Sequence, residues 1–422
     1  MSNPDVASAF GRDGIEPIPI ARRPLKSTVG RKRFPIRDLR SQPGDAETER
    51  LLANDVAWLS NLYRQGDDLP LRDFSLLQTT GEVFVMRGLV WHDGVPIEGT
   101  LPPKQLRKGD NIAQWTERME RSAHRAQFFP GTSAIIHAAG SRNYYHWTVE
   151  IMPRLFALRE AMRSGQVRPD RILLFYDEPL RFVGESITAL LPEMADRVEI
   201  TRDVVTRLER CCFFIDATAE GPYENHLAHT SRLKACTGFL AEAIDERHAR
   251  RPRQGRGRAL LISRADAPTR RLLHEEQLIE ALADIGLDRV TLTGMPVREQ
   301  MNLMADARLV IAPHGAGLTN TIHCRPGTAV IELNVPAFVR RCRSFADIAM
   351  YRGLHYGLVV ADPMPSDNEE PDIALQGPRA LKALRKLADK LLAGAEAPAA
   401  GQSIRSTLAT DGTPDASSAN SM

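Results

Sequence analysis

The sequence predicts an α/β protein made of two halves, each carrying a mainly parallel sheet. Three observations lead there. Short apolar β-type runs alternate with amphipathic helical stretches along most of the chain. A segment rich in Arg, Pro and Gly, residues 250–258, divides that alternation in two. In the second half, the apolar run Leu309-Val310-Ile311-Ala312 passes directly into Pro313-His314-Gly315-Ala316-Gly317-Leu318-Thr319-Asn320, a glycine-rich loop at a strand end.

The chain has 422 residues, room for two domains of roughly 150–200 residues each. Its 43% hydrophobic and 26% charged residues are those of a globular protein. A net charge of +2 gives no whole-chain signature of a nucleic-acid binder. One local exception is the arm Arg22 to Arg40, which holds Arg22, Arg23, Lys26, Arg31, Lys32, Arg33, Arg37 and Arg40 against Asp38 alone. Such an arm is a solvated leader or a peripheral contact for an anionic membrane or polyanionic substrate. Residues 1–20 lack the apolar run of a secretory signal, and no stretch reaches the ~18 apolar residues of a spanning helix. The five cysteines lack metal-type spacing; adjacent Cys211-Cys212 read as core residues of an apolar strand, and reduced thiols in the cytoplasm are the default expectation.

Taken in order, residues 1–55 read as a basic, partly disordered leader. Residues 82–91 form a strand that meets the turn signal Asp93-Gly94, predicting a β-hairpin-rich extension. A buried strand over 134–139 precedes the turn Gly140-Ser141-Arg142-Asn143. The helix expected over 144–163 carries Trp147, Ile151, Leu155 and Leu158 on one face. Strands follow at 171–176, 198–200 and 211–215, with helices at 182–191 and 231–251. The second half predicts strands at 259–263, 290–292, 309–312 and 329–333, and helices at 273–285, 297–305 and 380–392. Domains are accordingly expected at 56–250 and 251–394, with a disordered tail at 395–422.

Two glycines two residues apart just after a strand suit a sharp turn, and a helix opening near Leu318 would present free N–H groups to an anion. His314 and Asn320 add polar contacts. Ser263-Arg264 ends an earlier strand, where parallel sheets bind ligands, and an arginine fork there suits a phosphate. Together they form a candidate diphosphate site.

The second cluster is Asn143-Tyr144-Tyr145-His146-Trp147-Thr148-Val149-Glu150-Ile151-Met152-Pro153-Arg154. Asn143 is a candidate N-cap, and His146 and Glu150, at i and i+4, share a helix face as an acid/base pair. A packed interface that merely satisfies both side chains is the plainer alternative.

The two motifs, with Thr321-Ile322-His323-Cys324-Arg325-Pro326-Gly327-Thr328 and Ala329-Val330-Ile331-Glu332-Leu333 after the second, resemble glycosyltransferase family 61 over residues 134–333. The family includes capsular-polysaccharide glycosyltransferases of bacteria and eukaryotic xylosyl- and N-acetylglucosaminyltransferases. The resemblance implies two Rossmann-like domains facing across a cleft, the arrangement called GT-B, and an inverting hexosyl- or pentosyltransferase that needs no cofactor or metal. By it, Arg264, His314, Gly315, Ala316, Gly317, Leu318, Thr319 and Asn320 would bind the donor diphosphate, UDP being favoured. Asn143, Tyr144, Tyr145 and Arg154 would face the acceptor, a bacterial surface or lipid-linked glycan. His146 and Glu150 are both candidates for the catalytic base, Glu150 standing first as a carboxylate. The chain departs from the family in carrying His274 where Asn is common and Glu150 where Asp is common.

No Asp-x-Asp signature, Gly-x-Ser-x-Gly elbow, Walker A loop or His-Glu-x-x-His zinc site occurs. The rival from another class is a non-catalytic scaffold binding a nucleotide or polyanion in an envelope-polysaccharide complex, which would need Arg264 and the loop but neither His146 nor Glu150.

Overall fold

The computed structural model describes residues 13–20, 35–64, 71–72, 74–86, 88–97, 100, 112–137, 140–202, 204–216, 231–234, 237–253, 255, 257–368 and 370–396. The tail beyond residue 396 and most of the basic arm, residues 21–34, lie outside them.

The chain begins with β1 (Ile15–Ile18), β2 (Ile36–Asp38), α1 (Ala46–Arg64), β3 (Leu71–Arg72) and β4 (Phe74–Thr79). The apolar stretch after Gly81 is two strands rather than one, β5 (Val83–Met86) and β6 (Leu89–His92), separated at Gly88, whose φ of 79° belongs to the left-handed region. Asp93 and Gly94, with φ of 51° and 73°, then make the expected turn into β7 (Val95–Ile97).

After α2 (Ile112–Ser122) come β8 (Gln127–Ile135) and a long helix, α3, running from Tyr144 to Arg163. Trp147, Ile151, Leu155 and Leu158 of α3 are fully buried, as their spacing predicts. One π-helical turn, Trp147–Ile151, interrupts α3 at the residues of interest. Such turns re-aim side chains and cluster at functional sites. The half continues with β9 (Arg171–Phe175), α4 (Arg181–Leu190), β10 (Val198–Thr201), β11 (Thr206–Asp216), β12 (Ser231–Lys234) and α5 (Thr237–Arg250). The single helix expected over 231–251 is therefore a short strand followed by a helix.

These strands build a nine-stranded mixed sheet. Its parallel part runs β10-β9-β8-β11, and the hairpin strands β5, β6 and β7 extend it antiparallel, with β4 and β1 branching from β11.

The second half contains β13 (Arg258–Ser263), β14 (Leu272–Leu273), α6 (Glu275–Ala281), β15 (Leu287–Thr291), α7 (Val297–Asp306), β16 (Ala307–Pro313) and β17 (Ala329–Asn334). It ends with α8 (Arg343–Arg352), β18 (His355–Val360), β19 (Asp362–Met364), β20 (Asp372–Ala374) and α9 (Gly377–Glu396). A six-stranded, wholly parallel sheet runs β15-β13-β16-β17-β18-β2. Leu384, Leu387 and Leu391 of α9 seal one face, and Gly357 on β18 lets the helix close down: a Cβ there would lie 3.2 Å from Leu391 Cδ1. On the other face, Leu260, Val310, Val330 and Leu358 share one contiguous buried cluster with Trp147, Leu155 and Phe156 of α3.

The expected leader needs correction. Residues 36–38 are the edge strand β2 of the second sheet, paired with β18 near the far end of the chain. Arg40, counted with the basic arm, is nearly buried and donates to both carboxylates of Asp38 and Glu49 at 2.6–2.9 Å. Downstream, Arg340 pairs with Asp55 at 2.6 Å and lies 5.1 Å over the Trp58 ring. Local composition reads as solvated because the partners of residues 36–58 lie far off in sequence.

Candidate active site

Three strand ends of the parallel sheet converge on one cavity. Ser263 and Arg264 leave β13, residues 292–297 leave β15, and Ala316 and Gly317 follow β16. This is the end at which parallel sheets receive ligands. The cavity measures about 360 Å³, and Tyr144 of α3 with Arg181, Phe182 and Glu185 of α4 form its opposite wall.

The walls are tied to each other. Tyr144 donates its hydroxyl to Asn320 Oδ1 at 3.0 Å, and Asn320 Nδ2 donates to Gln300 Oε1 at 2.9 Å. Gln300 in turn donates to Met295 O at 2.8 Å. On α4, Arg181 donates to Gly294 O at 3.0 Å, and Glu185 accepts from the N–H of Val297 at 2.7 Å. That last bond satisfies one of the free amides at the start of α7.

Arg264 has hydrogen-bonding capacity that the protein leaves unused. Its Nη2 donates to Thr269 O at 3.0 Å, while its Nε is buried without a partner among the described residues. Burial, then the neighbouring Arg270, pull its pKa below the usual arginine value. A desolvated cation with an unused donor is a seat for an anion.

The loop glycines have a different purpose from the sharp turn expected of them. Gly315 has φ 168°, an extended conformation open to any residue, and Gly317 is not among the left-handed glycines. The reason at Gly315 is space, since a Cβ there would collide with Arg264 Nη1. At Gly317 a Cβ would make only ordinary contacts, 3.5 Å from Ile262 and Leu292. The helix after the loop opens at Ala316 rather than Leu318 and is a 3-10 helix, Ala316–His323.

Of the expected diphosphate residues, Arg264, Ala316, Gly317 and Asn320 line the cavity. Leu318 and Thr319 are turned into the core. His314 is also buried: its N–H bonds to Leu333 O at 2.8 Å, and its Nδ1 donates to Glu332 Oε1 at 2.6 Å. Of the expected acceptor-side residues, Tyr144 alone lines the cavity. Asn143 is the N-cap of α3, accepting from the N–H of Tyr145 at 2.9 Å. Arg154 is buried and donates to His137 O at 3.0 Å, a packing position within its own half.

Neither His146 nor Glu150 lines this cavity. His146 Nδ1 lies 3.2 Å from Glu150 Oε1 across the π turn, and Gly140 leaves room for the ring: a Cβ there would sit 2.9 Å from His146 Cδ2. Glu150 is buried and His146 half-buried. The two motifs also meet through rings, Phe345 of α8 lying edge-on to Tyr145 at 5.8 Å and to His314 at 5.2 Å.

Sequence reading missed Arg181, Phe182, Glu185, Gln300 and Phe345. The strand-end rule that found Arg264 also points to residues 292–295, directly after β15. Phe345 carries no such signal, because only the fold brings α8 beside both motifs.

Cavity and topology together define an α/β protein with a cavity at the carboxyl ends of parallel strands, the end where such sheets receive ligands. Comparison with known proteins makes the class more specific: residues 144–331 match the family model described as Glycosyltransferase 61. The match opens at Tyr144 and takes in both motifs. The chain is similar to a beta-1,2-xylosyltransferase of Arabidopsis thaliana, 30% identical over 99 residues, which are 20% of this chain and 18% of the relative. It is also similar to the EGF domain-specific O-linked N-acetylglucosamine transferases of Mus musculus and Pan troglodytes, each 29% identical over 110 residues, or 25% of this chain and 20% of theirs. The chain thus matches only 18–20% of the length of these relatives.

Proposed function

We propose that the protein is an inverting, metal-independent glycosyltransferase that moves a sugar from a nucleotide-diphosphate sugar, UDP-linked by preference, to a hydroxyl of a surface or capsular glycan. In this reading the halves face each other in a GT-B-like arrangement, with the donor held by 251–394 and the acceptor by 56–250. The observation that carries the proposal is Arg264, a half-buried guanidinium with a buried, unused Nε donor, packed into the space left by Gly315.

The departing diphosphate gathers negative charge as the glycosidic bond to it breaks. Arg264 and the N–H groups opening the 316–323 helix are fixed donors for that charge, and preorganised donors in a site that excludes water stabilise a transition state most. Inversion takes a single displacement, with a base removing the acceptor proton on the face opposite the leaving group. His146 and Glu150 are the candidates. The relatives' printed names, a xylosyl- and an N-acetylglucosaminyltransferase, support transfer of a pentose or hexosamine.

Thermal unfolding against a panel of nucleoside diphosphates and nucleotide sugars, with and without EDTA, tests the proposal. A ligand at a hundred times its Kd stabilises the native state by about 2.7 kcal/mol, readily seen as a shift in Tm. At least one nucleotide should raise Tm equally with EDTA. No shift with any nucleotide overturns the reading, and strict loss in EDTA removes its metal-independent part. Co-sedimentation with anionic vesicles at rising salt tests membrane contact through the basic residues Arg22 to Arg33, which lie outside the described residues.

A further inference from the structure

Glu332 is a fully buried carboxylate on β17, an interior strand of the parallel sheet. Burying a carboxylate there is costly unless hydrogen bonds replace its water. Three side chains do so. Tyr356 of β18 donates its hydroxyl to Oε2 at 2.6 Å, Asn334 donates to Oε1 at 3.1 Å, and His314 Nδ1 donates to the same Oε1 at 2.6 Å. For stability alone an apolar residue on this strand would serve as well or better. The arrangement instead fixes one side chain of the glycine loop. The His314 backbone is tied to Leu333 and its ring to Glu332 through Nδ1, which leaves Nε2 as the ring nitrogen not engaged by Glu332.

We infer that Glu332 is a positioning residue for the proposed transfer: His314 is nearly buried and is not among the residues lining the cavity, and Glu332 holds its ring by Nδ1 so that Nε2 is the atom turned to the donor's diphosphate beside Arg264. The inference rests on the proposed function and adds a residue that touches neither substrate. Gly315 connects the two groups, being next to His314 in sequence and against the Arg264 guanidinium in space. Glu370 exerts charge on His314 and Arg264 alike, and Arg270 on both Arg264 and Glu332, so these groups share one electrostatic neighbourhood. An imidazole anchored through one nitrogen to a carboxylate keeps a fixed orientation and tautomer; for metal-ligating histidines, loss of such a partner costs about ten- to a hundredfold, which sets the scale expected here.

The test is a double-mutant cycle on binding of UDP and of inorganic pyrophosphate, which carries the diphosphate without a base, using H314A, E332Q and H314A/E332Q in the full chain. Melting curves separate loss of fold from loss of affinity. E332D, which keeps the charge but withdraws it by one methylene, carries the test if the amide variant does not fold. Nitrogen-15 spectra of histidine-labelled protein report whether Nδ1 bears the proton, with H314A identifying the signal among eleven histidines. Expected are a loss of affinity of about tenfold for E332Q, no further loss when it is added to H314A, and a changed Nδ1 signal. Losses that multiply in the double variant, or wild-type affinity in E332Q, overturn the inference while leaving the proposed function standing. Failure of the wild type to bind either probe overturns the inference, and the proposed function falls with it when no other nucleotide of the thermal-shift panel binds.

Discussion

The Tyr144 hydroxyl donates to Asn320 Oδ1 at 3.0 Å, a bond between residues 176 positions apart, one in each motif. Both of Asn320's polar atoms are spent, Nδ2 reaching Gln300 Oε1 at 2.9 Å and Gly317 O at 3.3 Å. Asn320 therefore joins the halves of the site rather than offering free donors to a ligand. Burial pushes the Tyr144 phenol pKa up, so it remains the donor throughout the physiological range.

Removing only the hydroxyl, Tyr144→Phe, should cost about 1 kcal/mol of stability, the net value of one hydrogen bond. Asn320→Ala should cost about 2–3 kcal/mol, because it strands the tyrosine hydroxyl and the Gln300 carbonyl together. Urea denaturation of both variants checks the ranking; equal costs would show that the bond across the halves carries none of the difference.

Gly315 separates a stability effect from a binding effect. Its extended backbone accepts alanine without strain, and the clash of the new Cβ falls on the Arg264 guanidinium. Gly315→Ala should leave stability within about 1 kcal/mol while weakening nucleoside diphosphate binding at least about tenfold, the value of one charge-assisted contact. Gly317→Ala meets no such neighbour inside the protein, so any loss of affinity there reports contact with the ligand. Calorimetric titration beside melting curves decides both; a large drop in Tm for Gly315→Ala would place the fault in the backbone instead.

The readable parts of this fold were those with a local physical signature. Trp147, Ile151, Leu155 and Leu158 mark the buried face of α3 by spacing, and Arg264 is found because the carboxyl end of a parallel strand is a ligand position. The π turn within α3 left no trace, since its residues keep helical character while their spacing shifts by one. The break at Gly88 was hidden inside an apolar run. Strand β2 was unreadable because its partner β18 lies at the other end of the chain, and the same distance hid the bond from Tyr144 to Asn320. Spacing predicts that His314 belongs to the loop but not that Glu332 grips its ring or that Tyr356 holds Glu332, because those contacts depend on which strands are neighbours.

Acid should destabilise the protein through buried histidines. Burial, then Arg352, pulls His323 down to about 3, and burial with Arg325 pulls His248 to about 4, against an ordinary value of 6.5. Folded, both stay neutral where the unfolded chain would already be protonated, so the unfolded state binds more protons between pH 6.5 and about 4. Stability is therefore fully present above pH 6.5 and falls as pH drops through that window, with a slope approaching ~1.4 kcal/mol per pH unit for each histidine. Urea midpoints measured from pH 7.5 to 4.5 give the slope. His323→Asn should flatten it by one proton's worth, and an unchanged slope would assign the acid sensitivity elsewhere.

The π turn places His146 Nδ1 3.2 Å from Glu150 Oε1, with the carboxylate buried and the imidazole half-exposed. A carboxylate in that position can hold the imidazole while the ring takes the acceptor proton, or take the proton itself. The substitutions separate the two. Glu150→Gln keeps shape and hydrogen bonding but cannot act as a base, and His146→Ala removes the ring. Neither residue lines the cavity beside Arg264, so both variants should bind nucleoside diphosphate with wild-type affinity if that cavity holds the donor as proposed. Loss of the true base should lower turnover by about 10²–10⁴-fold, while loss of a residue that only orients it should cost less. If Glu150→Gln is the deeper loss, the carboxylate is the base and His146 its neighbour; if His146→Ala is deeper, the order reverses. Full activity in both would remove this pair from the reaction and return it to the packed interface that its burial alone would explain.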